Sequence, residues 1–534
     1  MSGVACTLAS PACFYLVNVS GLGFEQTLQA TVAQGLANRR YGAKVYVVGI
    51  DKFPGMTGIE WFPGTGCEDC SGLRQRWLNT VAAAQPTRQI VELSAADIVE
   101  QVRPLLNGGA LFSVGEPHAL GPVLTASGVH DLLPATSLAT LPRGLTVRFD
   151  GRHRWPDATA AAWYTGRVLL PLTNQSTFAF QAPTNLPFLA DAVVAWRLPL
   201  LWMDDVCRSP AQQAAFRWLV EGSSHFDSAP VVQYVGWFNN THLPNVELLC
   251  QCTARKRLVT IASDFTENLS YLSSLPASTA TPSTPLAQPP DAVRVHGGYS
   301  PTMTYVSIVV SDGDNIAQDW SNLRPMLERR LSLHSKVPLS WTLSNRWATF
   351  GAPVLEWFYT AARQSHGYDS FLMGPSGYGY TFPGAMEDDG ARRAFGQRTI
   401  DAAAALGMEA YVHWDVDQAL DPSSRLRTQR AIAMYNQTAV RGVFMLGSDP
   451  VDDVVGDVMV INKPALPWGF ANATSAAATL NALPQGTITY AYVNMKADPE
   501  LVDELALALQ PHVKLLGYRE LIRVARLARG PRRL

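Results

Sequence analysis

The sequence predicts an α/β protein, with a C-terminal (β/α) barrel of about seven or eight strands preceded by small α/β subdomains. Apolar runs of strand length recur at Tyr305–Val310, Leu339–Leu343, Phe371–Met373, Ala410–Trp414, Val443–Leu446, Val458–Ile461, Ile488–Val493 and Val513–Leu516. Most are continuous rather than alternating, the pattern of parallel strands buried on both faces. Helical stripes fill most of the gaps: Trp320, Leu323, Leu327 and Leu331 share one face, and Val354–Ala362, Ala391–Leu406 and Leu501–Leu509 carry others. The gap from Leu446 to Val458 is too short for a crossover helix, so one unit is irregular. An open doubly wound sheet is the main alternative.

The first half also alternates strand-like and helix-like patterns. Phe14–Val19 is a short apolar run, Leu28–Leu36 has helical spacing, and Lys44–Val48 is a second run rich in β-branched residues. Another unit starts near Ile90, with a helix at Ala95–Leu106, a strand at Ala110–Val114 and a helix at Leu120–Ser127. A third, Asn185–Leu272, holds helical Leu189–Ala195 and Gln212–Val220 and strands near Val231–Trp237 and Arg257–Ala262. From Pro276 to Pro290 the chain turns Ser/Thr/Pro/Ala-rich, a composition that cannot bury a core. The expected organisation is an N-terminal subdomain at 1–82, a second at 86–145, a third at 146–275, a linker at 276–298 and the barrel at 299–534.

With 534 residues the chain is long enough for several domains, and 47% hydrophobic against 16% charged residues excludes a disordered protein. The net charge is -2, and Lys/Arg cluster only in the short Arg529–Arg533 tail, so nucleic acid is not an expected partner. No run approaches the roughly 20 apolar residues of a membrane span. Oligomeric state leaves no mark in the sequence. Met1–Asn18 is apolar but lacks a basic leading segment, so no signal peptide is evident. Sequons nevertheless stand at Asn18, Asn174, Asn239, Asn268, Asn436 and Asn472. With 18 asparagines and Ser or Thr at about one position in eight, chance gives about two or three. The excess predicts a protein of the secretory lumen or the cell exterior. Seven cysteines leave one over if the rest form disulfides.

Several of the later runs end in polar clusters, and strand C-termini are where barrel enzymes place catalytic groups. Ser311-Asp312-Gly313-Asp314-Asn315 follows the first run. Asp312 and Asp314 suit acid/base work and Asn315 substrate binding; the structural alternative is an Asx turn capping the next helix. The fourth run ends in His413-Trp414-Asp415-Val416-Asp417. Asp415 and Asp417 form a second acidic pair, beside an imidazole and an indole on which a sugar face can stack. A core Trp with exposed aspartates is the alternative. The third run enters Gly374-Pro375-Ser376-Gly377-Tyr378-Gly379-Tyr380-Thr381-Phe382-Pro383-Gly384. Gly377 and Gly379 shape a loop expected to hold Tyr378, Tyr380 and Phe382 outward from the mouth, unless it is only a structural turn. Asp449 after the fifth run, Asn462-Lys463 after the sixth and Asn494 after the seventh are hydroxyl-binding candidates or caps. Cys67-x-x-Cys70 with Cys250-x-Cys252 could build a thiolate zinc site, although disulfides or free thiols are the commoner outcome. No His-based zinc spacing, nucleophile elbow, P-loop or dinucleotide fingerprint is present, and no cofactor or metal is expected.

The glycine–tyrosine loop resembles the motif for which the GxGYxYP putative glycoside hydrolases are named. Gly377-Tyr378-Gly379-Tyr380-Thr381-Phe382-Pro383 matches it, with Phe382 in place of the second tyrosine. Ser311-Asp312-Gly313-Asp314-Asn315 resembles that family's SDGDN segment. Ala262-Ser263-Asp264 with Asn268-Leu269-Ser270 resembles the end of its N-terminal region, and Gln34-Gly35-Leu36-Ala37-Asn38-Arg39 its QGLxNR segment. The resemblance covers most of the chain and is weakest around Leu141–Phe178. It implies small α/β subdomains before a barrel-like catalytic domain in a sugar-processing family, and carries over no catalytic residues. The Phe382 departure removes one hydroxyl, which matters if that group binds substrate.

Together these readings predict hydrolysis of a glycosidic bond in a carbohydrate substrate. Asp312 or Asp314 supplies one carboxylate and Asp415 or Asp417 the other, about 5–5.5 Å apart for retention or about 6.5–9.5 Å for inversion. Two other readings are a metal-dependent carbohydrate deacetylase, with Asp312, Asp314 and His413 as ligands, and a non-catalytic glycan-binding protein.

Overall fold

The computed structural model describes residues 6–50, 70–174, 177–203, 205–222, 230–237, 246–276, 286–415, 422–446, 451–467, 469–493 and 498–529. The chain forms two compact units. One comprises Met1–Cys252, Thr260–Thr279 and Trp347–Val354, the other Thr253–Val259, Ala280–Arg346 and Leu355–Leu534. Among the described residues no helix is long and apolar enough to cross a membrane.

The first unit is built on small parallel sheets. One has the order β2-β1-β3, from β1 (Cys13–Asn18), β2 (Val45–Val48) and β3 (Gln89–Leu93). A second, β5-β4-β6, uses β4 (Gly108–Leu111), β5 (Leu132–Ala135) and β6 (Val147–Asp150). The third, β10-β9-β7-β8, uses β7 (Thr177–Phe180), β8 (Leu200–Leu201), β9 (Val232–Gly236) and β10 (Leu258–Ala262), of which residues 260–262 belong to this unit. The helix Phe24–Tyr41 is buried from Thr27 to Leu28 and from Ala30 to Asn38. Its Gly35 lies so close to the helix Leu186–Ala195 that a Cβ there would meet the Asp191 carbonyl. Only glycine permits that crossing. The neighbouring polar residues are tied down in the same contact. Gln34 Nε2 donates to Asn268 Oδ1 (2.6 Å), and Asn268 reads the backbone of β2 twice, accepting from Val47 N (2.7 Å) and donating to Val47 O (2.8 Å). Asn38 Nδ2 donates to Ser270 Oγ (2.9 Å). The two N-terminal segments that carried the family resemblance therefore meet as one buried polar joint.

Asp191 belongs to that joint, accepting from Ser270 N at 2.8 Å. Burial pushes its carboxyl up to about 6 against this bond. The folded chain thus holds the Asp191 proton more tightly than the unfolded chain, whose carboxyl titrates near 3.9. The contribution to stability is full below about pH 4 and declines as pH rises to about 6, by about 3 kcal/mol in all. Asp191→Asn should remove this component. Denaturant titrations at pH 4.5 and 7 check it: the wild type should lose stability relative to the variant at the higher pH, and equal pH dependence would refute the assignment.

Two disulfides lie in the first unit, Cys6–Cys13 and Cys207–Cys252. Buried Cys250 belongs to neither. Because Cys252 is spent on Cys207, the four-cysteine zinc site considered from the sequence cannot form; Cys67 lies outside the described residues.

The second unit contains all eight C-terminal apolar runs as strands. They are β11 (Thr304–Val310), β12 (Leu339–Leu343), β13 (Asp369–Met373), β14 (Ala410–Trp414), β15 (Gly442–Leu446), β17 (Val458–Ile461), β19 (Ile488–Val493) and β20 (Val513–Leu515), joined by the short β16 (Val454–Val455) and β18 (Pro464–Leu466). The order is β16-β17-β15-β14-β13-β12-β11-β19-β18, with β20 also on β11. Only β16 is antiparallel, filling the short gap before β17. Each of β11 to β15 is buried along its whole length, which is why their sequences do not alternate. Helices Arg324–Leu333, Ala352–Gln364, Asp389–Leu406, Pro422–Ala433, Ala473–Asn481 and Pro499–Ala508 make the crossovers. The pairing path has two ends among the described residues, β16–β17 and β18. Yet β17 and β18 are separated only by Asn462 and Lys463, so residues 458–466 pair with β15 through their first part and with β19 through their last.

Residues 286–298 hold neither helix nor strand but are stitched to this second unit. Gln288 bonds Phe371 N and O, and Asp291 accepts from Arg519 and from Glu520 N.

Candidate active site

Parallel strands put their C-terminal ends at one edge of the sheet, and the chemistry-bearing loops gather there. Leaving β11, Ser311 N donates to Val493 O (2.7 Å), and Asp312 then turns the chain with φ of +69°, a left-handed conformation that Asp tolerates better than most residues. Gly313 lies flat on the end of β12. Its N–H donates to Thr342 Oγ1 (2.8 Å), and a Cβ would collide with the Thr342 carbonyl. Gly374, leaving β13, presses on the other side, where a Cβ would strike the backbone of Gly313 and Asp314. The acidic turn and the glycine–tyrosine loop therefore touch backbone to backbone.

Asp314 is closely surrounded by protein yet still partly reached by solvent. Desolvation first, and then the Asp312 carboxylate, push its carboxyl well above the usual range. Tyr492 of β19 is fully buried, and that burial first, then the field of the same two acids, raises its phenol. The sequence reading missed Tyr492; its only signal there was a polar tip on an apolar strand end. Asn315 is the N-cap of the next helical turn, accepting from Ala317 N (2.9 Å) and Gln318 N (3.2 Å).

The β14 end is of a different kind. His413 is fully buried, with Nδ1 hydrogen-bonded to Tyr411 Oη (3.0 Å) and Nε2 to Asp415 Oδ2 (2.8 Å). Both ring nitrogens are thus occupied by protein partners, so the deacetylase ligand set of Asp312, Asp314 and His413 is not assembled. Asp415, only 3% exposed, also accepts from Thr428 Oγ1 (2.6 Å) and Gly384 N (2.9 Å). The network continues from Tyr411 through Tyr435 to Thr399, whose hydroxyl accepts from Tyr378 N (3.1 Å). Its two ends hold the two halves of the glycine–tyrosine loop.

That loop is clamped along its length. Ser376 Oγ accepts from Trp414 N (2.9 Å) and Asn345 Nδ2 donates to Gly377 O (2.7 Å), while Gly377 has a positive φ of +101°. Contrary to the expected outward display, the aromatics after Gly379 turn inward. Tyr380 packs edge-on against Trp414 and Phe382, all three are buried, and Phe382 is fully so. The hydroxyl missing at Phe382 would point into packed protein rather than at a ligand. Tyr378 alone stays half-exposed, with the Arg346 guanidinium 4.2 Å and that of Arg398 5.4 Å from its ring centre. Asp417, Asp449 and Asn494 lie outside the described residues. Among those described, no group of three or more His, Cys, Asp or Glu could hold a metal ion.

Residues 302–509 match the model of the family described as GxGYxYP putative glycoside hydrolase C-terminal domain. The chain resembles a solved structure of a putative hydrolase from Bacteroides thetaiotaomicron VPI-5482, with 17% identity, 97% of this chain and 96% of that one covered, and a TM-score of 0.75. At that identity the likeness establishes a shared fold. A putative polysaccharide deacetylase from Mycobacterium smegmatis aligns at 15% identity over 46% of this chain and 97% of its own, with a TM-score of 0.30. A 4-alpha-glucanotransferase from Thermococcus litoralis aligns at 12% identity over 41% and 39%, with a TM-score of 0.24. No curated protein matches the chain.

Proposed function

We propose that the protein is a glycoside hydrolase in which Asp314 and Asp312 are the working carboxylate pair. The observation that carries this reading is a partly exposed carboxyl, Asp314, pushed toward its neutral form by desolvation and by the adjacent Asp312, at the C-terminal edge of a parallel sheet. The match of residues 302–509 to a glycoside-hydrolase family model supports the substrate class. Residues 458–466, bridging β15 and β19, support reading the sheet as a barrel-like ring with this edge as its mouth.

In this mechanism Asp314 donates its proton to the departing glycosidic oxygen, and ionised Asp312 stabilises or attacks the anomeric carbon. Asp415 becomes a positioning residue, since its oxygens are occupied by His413, Thr428 and Gly384. Half-exposed Tyr378 offers its ring to the sugar, with Arg346 and Arg398 packed beside it.

A panel of 4-nitrophenyl glycosides and reducing-sugar assays on neutral and acidic polysaccharides tests the reading, with Asp312→Asn, Asp314→Asn and Asp417→Asn run in parallel. Turnover by the wild type that both Asp312→Asn and Asp314→Asn abolish supports the pair. Turnover lost only with Asp417→Asn moves the second carboxylate to β14. Binding on a glycan array without any product would instead identify a non-catalytic glycan-binding protein.

A further inference from the structure

The glycosylation motifs have no part in the proposed chemistry, yet the structure sorts them sharply. Asn268 is 1% exposed, and both halves of its amide are spent in the core. Its Oδ1 accepts from Gln34 and Val47, and its Nδ2 donates to Val47 O. Nδ2 is the atom that N-glycosylation modifies, so a glycan there would destroy the joint.

Asn18, Asn174, Asn436 and Asn472 are all exposed. Asn18, Asn436 and Asn472 make their side-chain hydrogen bonds through the carbonyl oxygen, whereas the sequons of Asn174 and Asn239 include residues outside the described ones. Asn18 Oδ1 accepts from Ser20 N (2.9 Å), Asn436 Oδ1 from Asp457 N (2.8 Å) and Asn472 Oδ1 from Ser475 N (3.0 Å). An N-linked sugar leaves that oxygen in place as an acceptor and replaces one N–H of the amide. A turn, a loop anchor and a helix N-cap would each survive the modification. The disulfides Cys6–Cys13 and Cys207–Cys252 supply an independent indication, because such bonds persist in the oxidising compartments where N-glycans are added.

We infer that the protein matures in an oxidising secretory compartment and carries N-linked glycans at Asn18, Asn436 and Asn472, with Asn268 unmodified. The step is a group transfer from a lipid-linked glycosyl pyrophosphate. A bond forms between Asn Nδ2 and the sugar C1, the C1–O bond to pyrophosphate breaks, the lipid pyrophosphate leaves with the electron pair, and a base takes one amide proton.

Protein purified from its own source cells tests this, by peptide mapping before and after peptide-N-glycosidase treatment in heavy-oxygen water. The expected result is conversion of Asn18, Asn436 and Asn472 to labelled aspartate, with the Asn268 peptide unchanged. Cys6, Cys13, Cys207 and Cys252 should resist alkylation until reduced. Recovery of these three peptides as plain asparagine overturns the proposal, as does a glycan on Asn268 in folded protein.

Discussion

Asp314→Asn should lower kcat by about 10²- to 10⁴-fold, the range expected when a positioned general acid is removed, with little change in KM. The argument rests on the proton. Asp314 works only while protonated, so activity should fall as pH rises through its elevated pKa. Asp312 is the second cause of that elevation, after desolvation. Asp312→Asn removes a negative charge beside the acid, so what remains of the activity should lose its alkaline limb at lower pH than the wild type. A pH–rate profile of the two variants checks both statements. An alkaline limb that moves upward in Asp312→Asn, or an Asp314→Asn enzyme at full rate, would remove the acid from its role. A leaving group that needs no protonation, such as a dinitrophenolate, should restore much of the rate in Asp314→Asn.

Asp369→Ala should destabilise the C-terminal unit by about 3–5 kcal/mol, the usual consequence of stripping one partner from a buried ion pair. Asp369 opens β13, at the end of the strand away from the acidic turn. Its Oδ1 accepts from Arg330 Nε (2.5 Å) and from Trp341 Nε1 (2.7 Å). Arg330 and Asp369 are each 1% exposed, so the variant strands a guanidinium in the core. Replacing both, as Arg330→Met with Asp369→Leu, should cost much less than the single change. Hydrogen exchange of the β12 and β13 amides during urea titration reads the effect locally. Equal losses in single and double variants would mean that packing, not the orphaned charge, sets the cost.

The C-terminal strands were legible because burial on both faces demands continuous apolar runs, and few other structures do. The strands that escaped reading are short or atypical. β5 contains Pro134, tolerated because it is an edge strand; β6 reads Val-Arg-Phe-Asp; β16 and β18 have two and three residues. The acids were legible as acids but not by role. Asp312, Asp314 and Asp415 all follow parallel strands, and only packing separates a carboxylate left beside another carboxylate from one consumed by His413, Thr428 and a backbone N–H. Tyr492 was hidden because its acidic neighbours come from a distant part of the chain. The inward turn of Tyr380 and Phe382 was hidden for a related reason: glycines announce an unusual path without saying which way it bends.

The contact between Gly313 and Gly374 has a consequence for how this protein can change over time. With no side chain between the backbones there is no cushion to absorb a shift: a methyl added to Gly374 would push on Gly313 and Asp314, and one added to Gly313 would push on the end of β12. Drift at one position cannot be compensated by shrinking the other, because nothing smaller than hydrogen is available. Each of the two glycines is therefore constrained on its own account, by a different backbone neighbour.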